Sequence, residues 1–276
     1  MVDVTFFGVR GSCPCPSEAN RRYGGNTACV ALTHPGEAPI IFDLGTGLRA
    51  FGSTQPADGS FRGTALVTHM HWDHVQGLPF FPPADRPGAV LDVYGPPQPD
   101  GSFGEAFDDL MRPPFFPVRA GELRGDITFH DAVEDDLAVG NAKIRIRNVP
   151  HVGPTVGYRV SWEGRTVAYI SDHQAPLDLD TVADGVLELA ETADVLIHDA
   201  QYTPDEFREK AHWGHCTIGY ALDVARQAGA GQLVLFHHDP AHDDDAIDRI
   251  VRDVRARRRP GDPEVIAAYE GLTLHL

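Results

Sequence analysis

The chain has 276 residues and a formal net charge of −17 at pH 7, and 42% of its residues are hydrophobic. That hydrophobic fraction is normal for a globular protein with a full core. No stretch approaches the roughly 18 uninterrupted apolar residues of a membrane span, so no membrane partner is expected. The acidic excess should repel polyanions, so a nucleic acid is not expected as the main partner.

The N-terminus and the cysteines favour a cytoplasmic protein. The chain leads directly from Met1 into a predicted strand, without the basic region and long apolar stretch of a signal peptide. Four cysteines in a chain of this length do not predict a disulfide framework. Cys13 and Cys15 are too close in sequence to bridge easily, and two free thiols in a glycine-rich loop are favoured over a metal clip.

The first part of the chain is a series of predicted strands. Short runs of apolar and β-branched residues predict the strands, and glycine clusters predict the turns between them. These strands span residues 2–7, 28–33, 39–43, 64–69 and 89–93.

Residues 95–125 interrupt this pattern with proline- and glycine-rich sequence and one short predicted helix at 104–112. The run Pro113-Pro114-Phe115-Phe116-Pro117 places aromatic and proline side chains in a predicted surface loop. Apolar side chains in such a loop are expected to be covered by another part of the protein or by a partner. The segment is therefore predicted to be an insertion that acts as a lid or as a contact in a homodimer.

The second half repeats strands and adds longer helices. Strand sets followed by helices in both halves predict an α+β fold, an αββα sandwich of two mixed β-sheets packed face to face with helices outside. No linker interrupts the chain, so residues 1–276 are predicted to form one domain. The predicted strands are 126–130, 143–149, 155–160, 165–170, 194–198 and 232–236, and the helices are 181–192, 204–211, 217–229 and 243–258.

The most informative motif is the run from His69 to His74, which reads His-Met-His-Trp-Asp-His. An apolar run before it predicts a buried strand, so these ligand-type side chains lie at the strand's C-terminal end. Histidines at i and i+2 point to one side of an extended chain, and the following turn can direct Asp73 and His74 to a second point nearby. Imidazole and carboxylate ligands suit zinc, and also iron, nickel or manganese. A solvated histidine-rich loop is the disfavoured alternative.

This pattern resembles the H-x-H-x-D-H signature of the metallo-β-lactamase superfamily. Three later strand-like runs each end in one ligand-type residue, in the order found in that superfamily: His151, Asp172 and His237. The resemblance covers residues 4 to about 244 and implies two divalent metal ions, with Zn²⁺ favoured over Mn²⁺ or Fe²⁺. The ligands it implies are His69, His71 and His151 for the first ion, Asp73, His74 and His237 for the second, and Asp172 as a bridge.

Two further blocks resemble ribonuclease Z and its phosphodiesterase relatives. Residues 196–201 and 213–217 are similar to the His-Glu-Ala-Thr and Gly-His-Ser-Thr blocks of that branch. There the acid orients a histidine that protonates the leaving oxygen, which implies that Asp199 orients His215. The alternative is a structural His215 that caps the following helix. The long arm with which ribonuclease Z grips tRNA has no evident counterpart in the sequence.

Other polar residues near these motifs have two interpretations. Asp43 either supports the histidines or caps a helix that begins near Gly47. His173 and His238 directly follow ligand-type residues and are predicted to point to the opposite face. The remaining histidines are predicted to have no role in the site: His34, His130, His212, His242 and His275.

The implied ligand set favours hydrolysis. Two metal ions about 3.5–4 Å apart can share a hydroxide and clamp the attacked group. An alkoxide leaving group needs a proton, which His215 would supply. The sequence therefore predicts a dinuclear-zinc phosphodiesterase for a small or nucleotide-type substrate, with Asp73, His215 and Asp199 as catalytic residues. The alternatives are an acyl hydrolase (a lactonase, thioesterase or β-lactamase), a ribonuclease Z-like RNA endonuclease, and a non-enzymatic binding module.

Overall fold

Two seven-stranded β-sheets face each other in the computed structural model, which describes residues 1–276. The first sheet contains β1 (Asp3–Gly8), β2 (Cys29–Thr33), β3 (Ile40–Phe42), β4 (Arg62–Leu66), β5 (Val90–Gly95), β6 (Asp126–Asp131) and β14 (Thr273–His275). The second contains β7 (Asp136–Val139), β8 (Ala142–Asn148), β9 (Val156–Trp162), β10 (Arg165–Ile170), β11 (Val195–Asp199), β12 (Gln232–Phe236) and β13 (Glu264–Ala267).

Buried aromatic side chains hold the two sheets together. Phe42 of the first sheet stacks on Tyr169 of the second, with ring centroids 4.6 Å apart and planes 6° from parallel. Phe6 and Phe236 extend the same layer, and all four side chains belong to one buried cluster. Such rings bury large apolar areas, so this central layer is a major source of stability.

Helices cover the outer faces of both sheets. The first sheet packs against α1 and α3, and the second packs against α4, α6 and α7, each through a separate buried cluster. The seven α-helices are α1 (Leu48–Gly52), α2 (Trp72–Val75), α3 (Phe103–Leu110), α4 (Asp184–Ala190), α5 (Pro204–Lys210), α6 (Ile218–Ala228) and α7 (Asp244–Ala256). None of them is both long and apolar enough to cross a bilayer.

The predicted αββα sandwich is confirmed. The predicted strands and longer helices lie within a few residues of the observed ones, but β7, β13 and β14 were not predicted. All three are short and lie at sheet edges. Such strands carry weak hydrophobic periodicity, because only one neighbouring strand and one face constrain them.

Residues 95–125 contain α3 and a loop. Phe103 and Phe107 of α3 and the following Met111 are buried in the cluster beneath the first sheet. Phe115, by contrast, is 75% exposed. The segment is therefore anchored at its helix and open at its proline-rich loop. Its role as a lid or homodimer contact, and the assignment of the chain as one domain, stay predictions.

Candidate metal centre

The candidate site lies where several strands end. Strands β3 and β4 run parallel in the first sheet, and β10, β11 and β12 run parallel in the second. The carboxyl ends of parallel strands meet at the same edge of a sheet. The loops that follow β4, β8, β10 and β12 therefore bring distant parts of the sequence together at one end of the sandwich.

Three imidazoles and one carboxylate form what we call the first cluster: His69, His71, His151 and Asp172. His71 Nδ1 lies 2.8 Å from His69 Nε2 and 3.2 Å from His151 Nε2. Asp172 Oδ2 lies 3.8 Å from the Nε2 atoms of both His69 and His151. Nitrogens bound tetrahedrally to one zinc, at about 2.0–2.1 Å, would be about 3.3 Å apart. This spacing could hold one ion.

The second cluster consists of Asp73, His74 and His237. Asp73 Oδ2 lies 3.2 Å from His74 Nε2 and 3.0 Å from His237 Nε2. Asp172 Oδ1 lies 3.2 Å and 3.5 Å from the same two nitrogens. The two oxygens of Asp172 therefore face different clusters, as a bridging carboxylate requires.

Two buried polar atoms at the junction have no hydrogen-bond partner. His74 Nε2 and Asp172 Oδ1 are 3.2 Å apart, yet neither forms a hydrogen bond of acceptable geometry. A buried polar atom without a partner is costly, and a cation between these donors would satisfy both. The residues present therefore fit divalent metal ions.

The protonation states of the first cluster suit cation binding. Burial lowers the pKa of His69 well below its usual value and that of His151 to about 4, so both imidazoles are neutral. Burial opposes ionisation of Asp172, but the neighbouring His237 and His74 hold the pKa of its carboxyl well below the usual range. Neutral imidazole and ionised carboxylate are the forms that bind metals. In the second cluster, burial opposes protonation of His74 and His237, but the neighbouring carboxylates raise the pKa of both imidazoles, so a bound cation would displace protons there.

Asp43 fixes the orientation of His74. Its Oδ2 accepts hydrogen bonds from His74 Nδ1 and Tyr169 Oη, both at 2.8 Å, and its Oδ1 accepts one from the Thr68 backbone N–H, also at 2.8 Å. With Nδ1 occupied, His74 presents Nε2 to the second cluster. Gly47 is the N-cap of α1, with no side-chain capping bond. The helix-capping interpretation of Asp43 is therefore wrong.

Two orienting contacts were not predicted from the sequence. His151 Nδ1 donates to the Gly214 carbonyl at 2.6 Å, and His237 Nδ1 donates to Gln201 Oε1 at 2.8 Å. A Cβ atom on Gly11 would lie 2.4 Å from the His237 ring, so only glycine fits beside it. Gln201 lies in a block already singled out in the sequence, but its partner is 36 residues away and only the fold brings them together.

We expect Gln201→Leu to weaken metal binding at the second cluster by about 10- to 100-fold, because His237 loses the acceptor that fixes its Nε2. Competition against a fluorescent zinc chelator measures this affinity. Gln227→Leu, on the exposed face of α6, is the matched control. Equal zinc affinity in Gln201→Leu and the wild-type protein would contradict the role given to Gln201.

His215 and Asp199 lie beside the clusters. His215 Nδ1 is 3.0 Å from Asp199 Oδ2, and the imidazole ring stacks on His237 with centroids 5.0 Å apart. Asp199 also accepts hydrogen bonds from the backbone N–H groups of His173 and Gln201, at 3.0 Å and 2.9 Å. The carboxylate is thus held in place, and Nε2 of His215 is left available.

Two interpretations from the sequence concern residues next to the clusters. The first is that His215 caps the following helix, and the second is that His173 and His238 lie outside the metal site. Thr217 is the N-cap of α6, since its side chain accepts from the Tyr220 backbone N–H. His173 Nδ1 lies 3.1 Å from His198 Nε2, and His238 Nε2 donates to a backbone carbonyl at 3.0 Å. Both histidines thus contact structural partners and belong to neither cluster, as predicted.

An open cavity of about 650 Å³ lies over the clusters. No arginine or lysine lines it. We call its buried part the floor, which consists of Asp73, Asp172, His215 and His237. We call its exposed part the rim, which consists of Ser12, His71, Trp72, Val152, His212 and Trp213. Of the residues predicted to have no role, His212 is the one on this rim.

Residues 40–238 match the beta-lactamase superfamily domain. Ribonuclease Z of Natronomonas pharaonis is 29% identical, with 85% of this chain and 86% of that protein covered. Ribonuclease Z of Haloarcula marismortui is 26% identical, with 98% and 95% covered. The metallo-beta-lactamase fold protein YhfI from Bacillus subtilis superposes with a TM-score of 0.74 at 20% identity, covering 99% of this chain and 98% of its own.

These relatives show that one expectation from the sequence was wrong. The net charge led us to expect no nucleic acid as the main partner, yet the two relatives above, which align with 85% and 98% of the chain, are named as ribonucleases. At physiological salt, charges more than about 8 Å from a ligand are largely screened. The total charge of the chain therefore does not decide what binds in one cavity.

The matched region includes every residue of the two clusters as well as Asp199 and His215. It extends over more than half of the chain, and the observed architecture is the one found in the superposed fold. The His and Asp residues of the two clusters, which are able to bind metal, lie in α2 and in the loops that follow β4, β8, β10 and β12. The chain therefore belongs to the beta-lactamase superfamily domain family, among metal-dependent hydrolases of the metallo-β-lactamase fold.

Proposed function

We propose that this protein is a metal-dependent phosphodiesterase that cleaves RNA. The observation that carries the proposal is the Asp199–His215 pair beside the two clusters, with 3.0 Å between carboxylate and imidazole. Cleavage of an RNA phosphodiester expels an alkoxide, which is a poor leaving group unless it receives a proton. Acyl substrates such as lactones or thioesters need less help. The ribonuclease Z names of the curated relatives support the same substrate class.

In this proposal the site holds two divalent ions, most simply zinc, since all protein donors are imidazole nitrogens or carboxylate oxygens. When bound, such ions neutralise phosphate charge and lower the pKa of a bound water to roughly 7. The ligands would be His69, His71 and His151 for one ion, Asp73, His74 and His237 for the other, and Asp172 for both.

The protein's own residues would donate the proton to the leaving oxygen and hold the histidines in position. His215 donates the proton on Nε2 to the leaving oxygen, because its Nδ1 is engaged by Asp199. Asp199 orients the imidazole ring and keeps Nε2 directed at the cavity. Asp43 and Gln201 hold His74 and His237 in the tautomers that present Nε2 to the second cluster.

A substrate panel tests this function. We expect the metal-loaded protein to hydrolyse a single-stranded RNA oligonucleotide and bis-p-nitrophenyl phosphate. Rates on a lactone, a thioester and a cephalosporin should be at least about 100-fold lower than the rate on RNA, since a well-placed proton donor contributes about that much to the departure of an alkoxide. Faster turnover of any acyl substrate than of both phosphodiesters would overturn the proposal in favour of an acyl hydrolase.

A further inference from the structure

We propose that Trp72 and Trp213 are stacking platforms for the unpaired nucleobases next to the scissile phosphodiester. This step rests on the proposed function, because it concerns how the same cavity would hold RNA. Both tryptophans belong to the rim of the cavity over the clusters. They are 73% and 64% exposed, whereas the third tryptophan, Trp162, is 3% exposed and lies in the core between the sheets.

The two rings are attached to backbone that the clusters already fix. Trp72 stands between His71 of the first cluster and Asp73 of the second. Trp213 precedes Gly214, whose carbonyl accepts the 2.6 Å hydrogen bond from His151. Any change in the position of either backbone would therefore disturb a cluster residue. Binding surfaces attached to such rigid positions lose little conformational freedom when a ligand binds.

The side chains that line the cavity offer few cationic contacts to the phosphates of the RNA backbone. No arginine or lysine lines the cavity, and its floor contributes the carboxylates of Asp73 and Asp172. Lys210 lies 5.7 Å from the centroid of the Trp213 ring, and its ammonium forms an ion pair with Asp239 at 3.2 Å. The metal ions of the proposed site would bind only the scissile phosphate, so affinity for the flanking nucleotides must come from their bases.

Tryptophan suits this task because every nucleobase has a π face that can stack on an indole ring, whatever its sequence. By alanine substitution, one stacked base contributes about 5- to 150-fold in affinity. Two exposed indoles beside a site for phosphodiester cleavage would therefore select unpaired segments over duplex, whose bases are stacked on one another.

Binding measurements on the metal-loaded protein test the proposal directly. The probes are a ten-nucleotide oligodeoxyadenylate and its counterpart with abasic sugars at all positions, which carries the same phosphates. We expect the base-carrying probe to quench tryptophan emission and to bind at least about 25-fold more tightly than the abasic probe, since two platforms each contribute at least about fivefold. Trp72→Ala and Trp213→Ala should each lose about 5- to 150-fold in affinity for the base-carrying probe only.

Two controls separate stacking from general damage. In the double variant, emission from the buried Trp162 reports whether the core is intact. Tyr269→Ala removes a 42% exposed aromatic ring that does not line this cavity, and should bind both probes as the wild type does. Raising salt from 50 to 200 mM should change affinity by less than about tenfold, against about 10³ to 10⁵ for proteins with six to ten phosphate contacts.

The outcomes distinguish this inference from the function on which it rests. A wild-type protein that hydrolyses RNA but binds both probes equally would overturn the stacking role. So would a loss in Trp72→Ala that is the same for both probes, or a steep salt dependence. A wild-type protein that hydrolyses neither RNA nor bis-p-nitrophenyl phosphate would instead overturn the proposed function.

Discussion

Replacement of Asp172 by alanine is expected to reduce the metal content from about two ions per chain to less than one. It should also abolish phosphodiester hydrolysis. Asp172 is 2% exposed, and its two oxygens face both clusters, at 3.8 Å from His69 and 3.2 Å from His74. Without this shared negative charge the two cations would repel each other across a buried space. Elemental analysis of protein purified with excess zinc, together with kcat/KM, measures the effect.

Changes confined to one cluster should do less. His71→Ala removes a donor from the first cluster only, so the second cluster should keep about one ion per chain. Asp180→Ala, at an exposed position eight residues along from Asp172, should keep the wild-type metal content and activity. If Asp172→Ala retains two ions per chain, the carboxylate is not a shared ligand and the two-ion proposal fails.

The sequence predicted the fold because its central strands have strong local signals. Val195–Asp199 and Gln232–Phe236 are buried along nearly their whole length, and such apolar runs are visible without a structure. Strand β14 could not be predicted in this way. Its partner is β1 at the opposite end of the chain, with Asp3 opposite His275, so nothing local identifies the pairing.

The residues of the candidate site also divide into those that the sequence identifies and those that only the fold identifies. The ligand-type residues could be named because their types and order along the chain resemble those of the metallo-β-lactamase superfamily. Their supporting contacts could not, since these depend on distances that only the fold sets. Tyr169 donates to Asp43 across 126 residues of sequence, and Asp73 reaches His237 across 164. The rim tryptophans were overlooked for a related reason: in sequence Trp72 is only the variable position of a motif.

His215→Ala is expected to lower kcat on RNA by about 10² to 10⁴ and to leave two ions bound per chain. That range is usual for the loss of a general acid. Asp199→Asn should give a smaller loss, because the amide keeps the shape of the carboxylate but not its charge. Alanine at position 199 is a poorer test, since Asp199 also accepts two backbone N–H groups near the clusters. His275→Ala, an exposed position far along the chain, should change neither quantity.

Substrates with different leaving groups distinguish a His215 that donates a proton from a His215 that is only structural. p-Nitrophenolate departs without protonation, so His215→Ala should lose much less on bis-p-nitrophenyl phosphate than on RNA. Equal losses on both substrates would contradict general acid catalysis. Loss of metal in the same variant would make His215 a ligand, since it lies close enough to Asp172 and His237 to share an ion with them. A change in thermal stability alone would identify a structural histidine, and the main reason for preferring phosphodiesters to acyl substrates would then be gone.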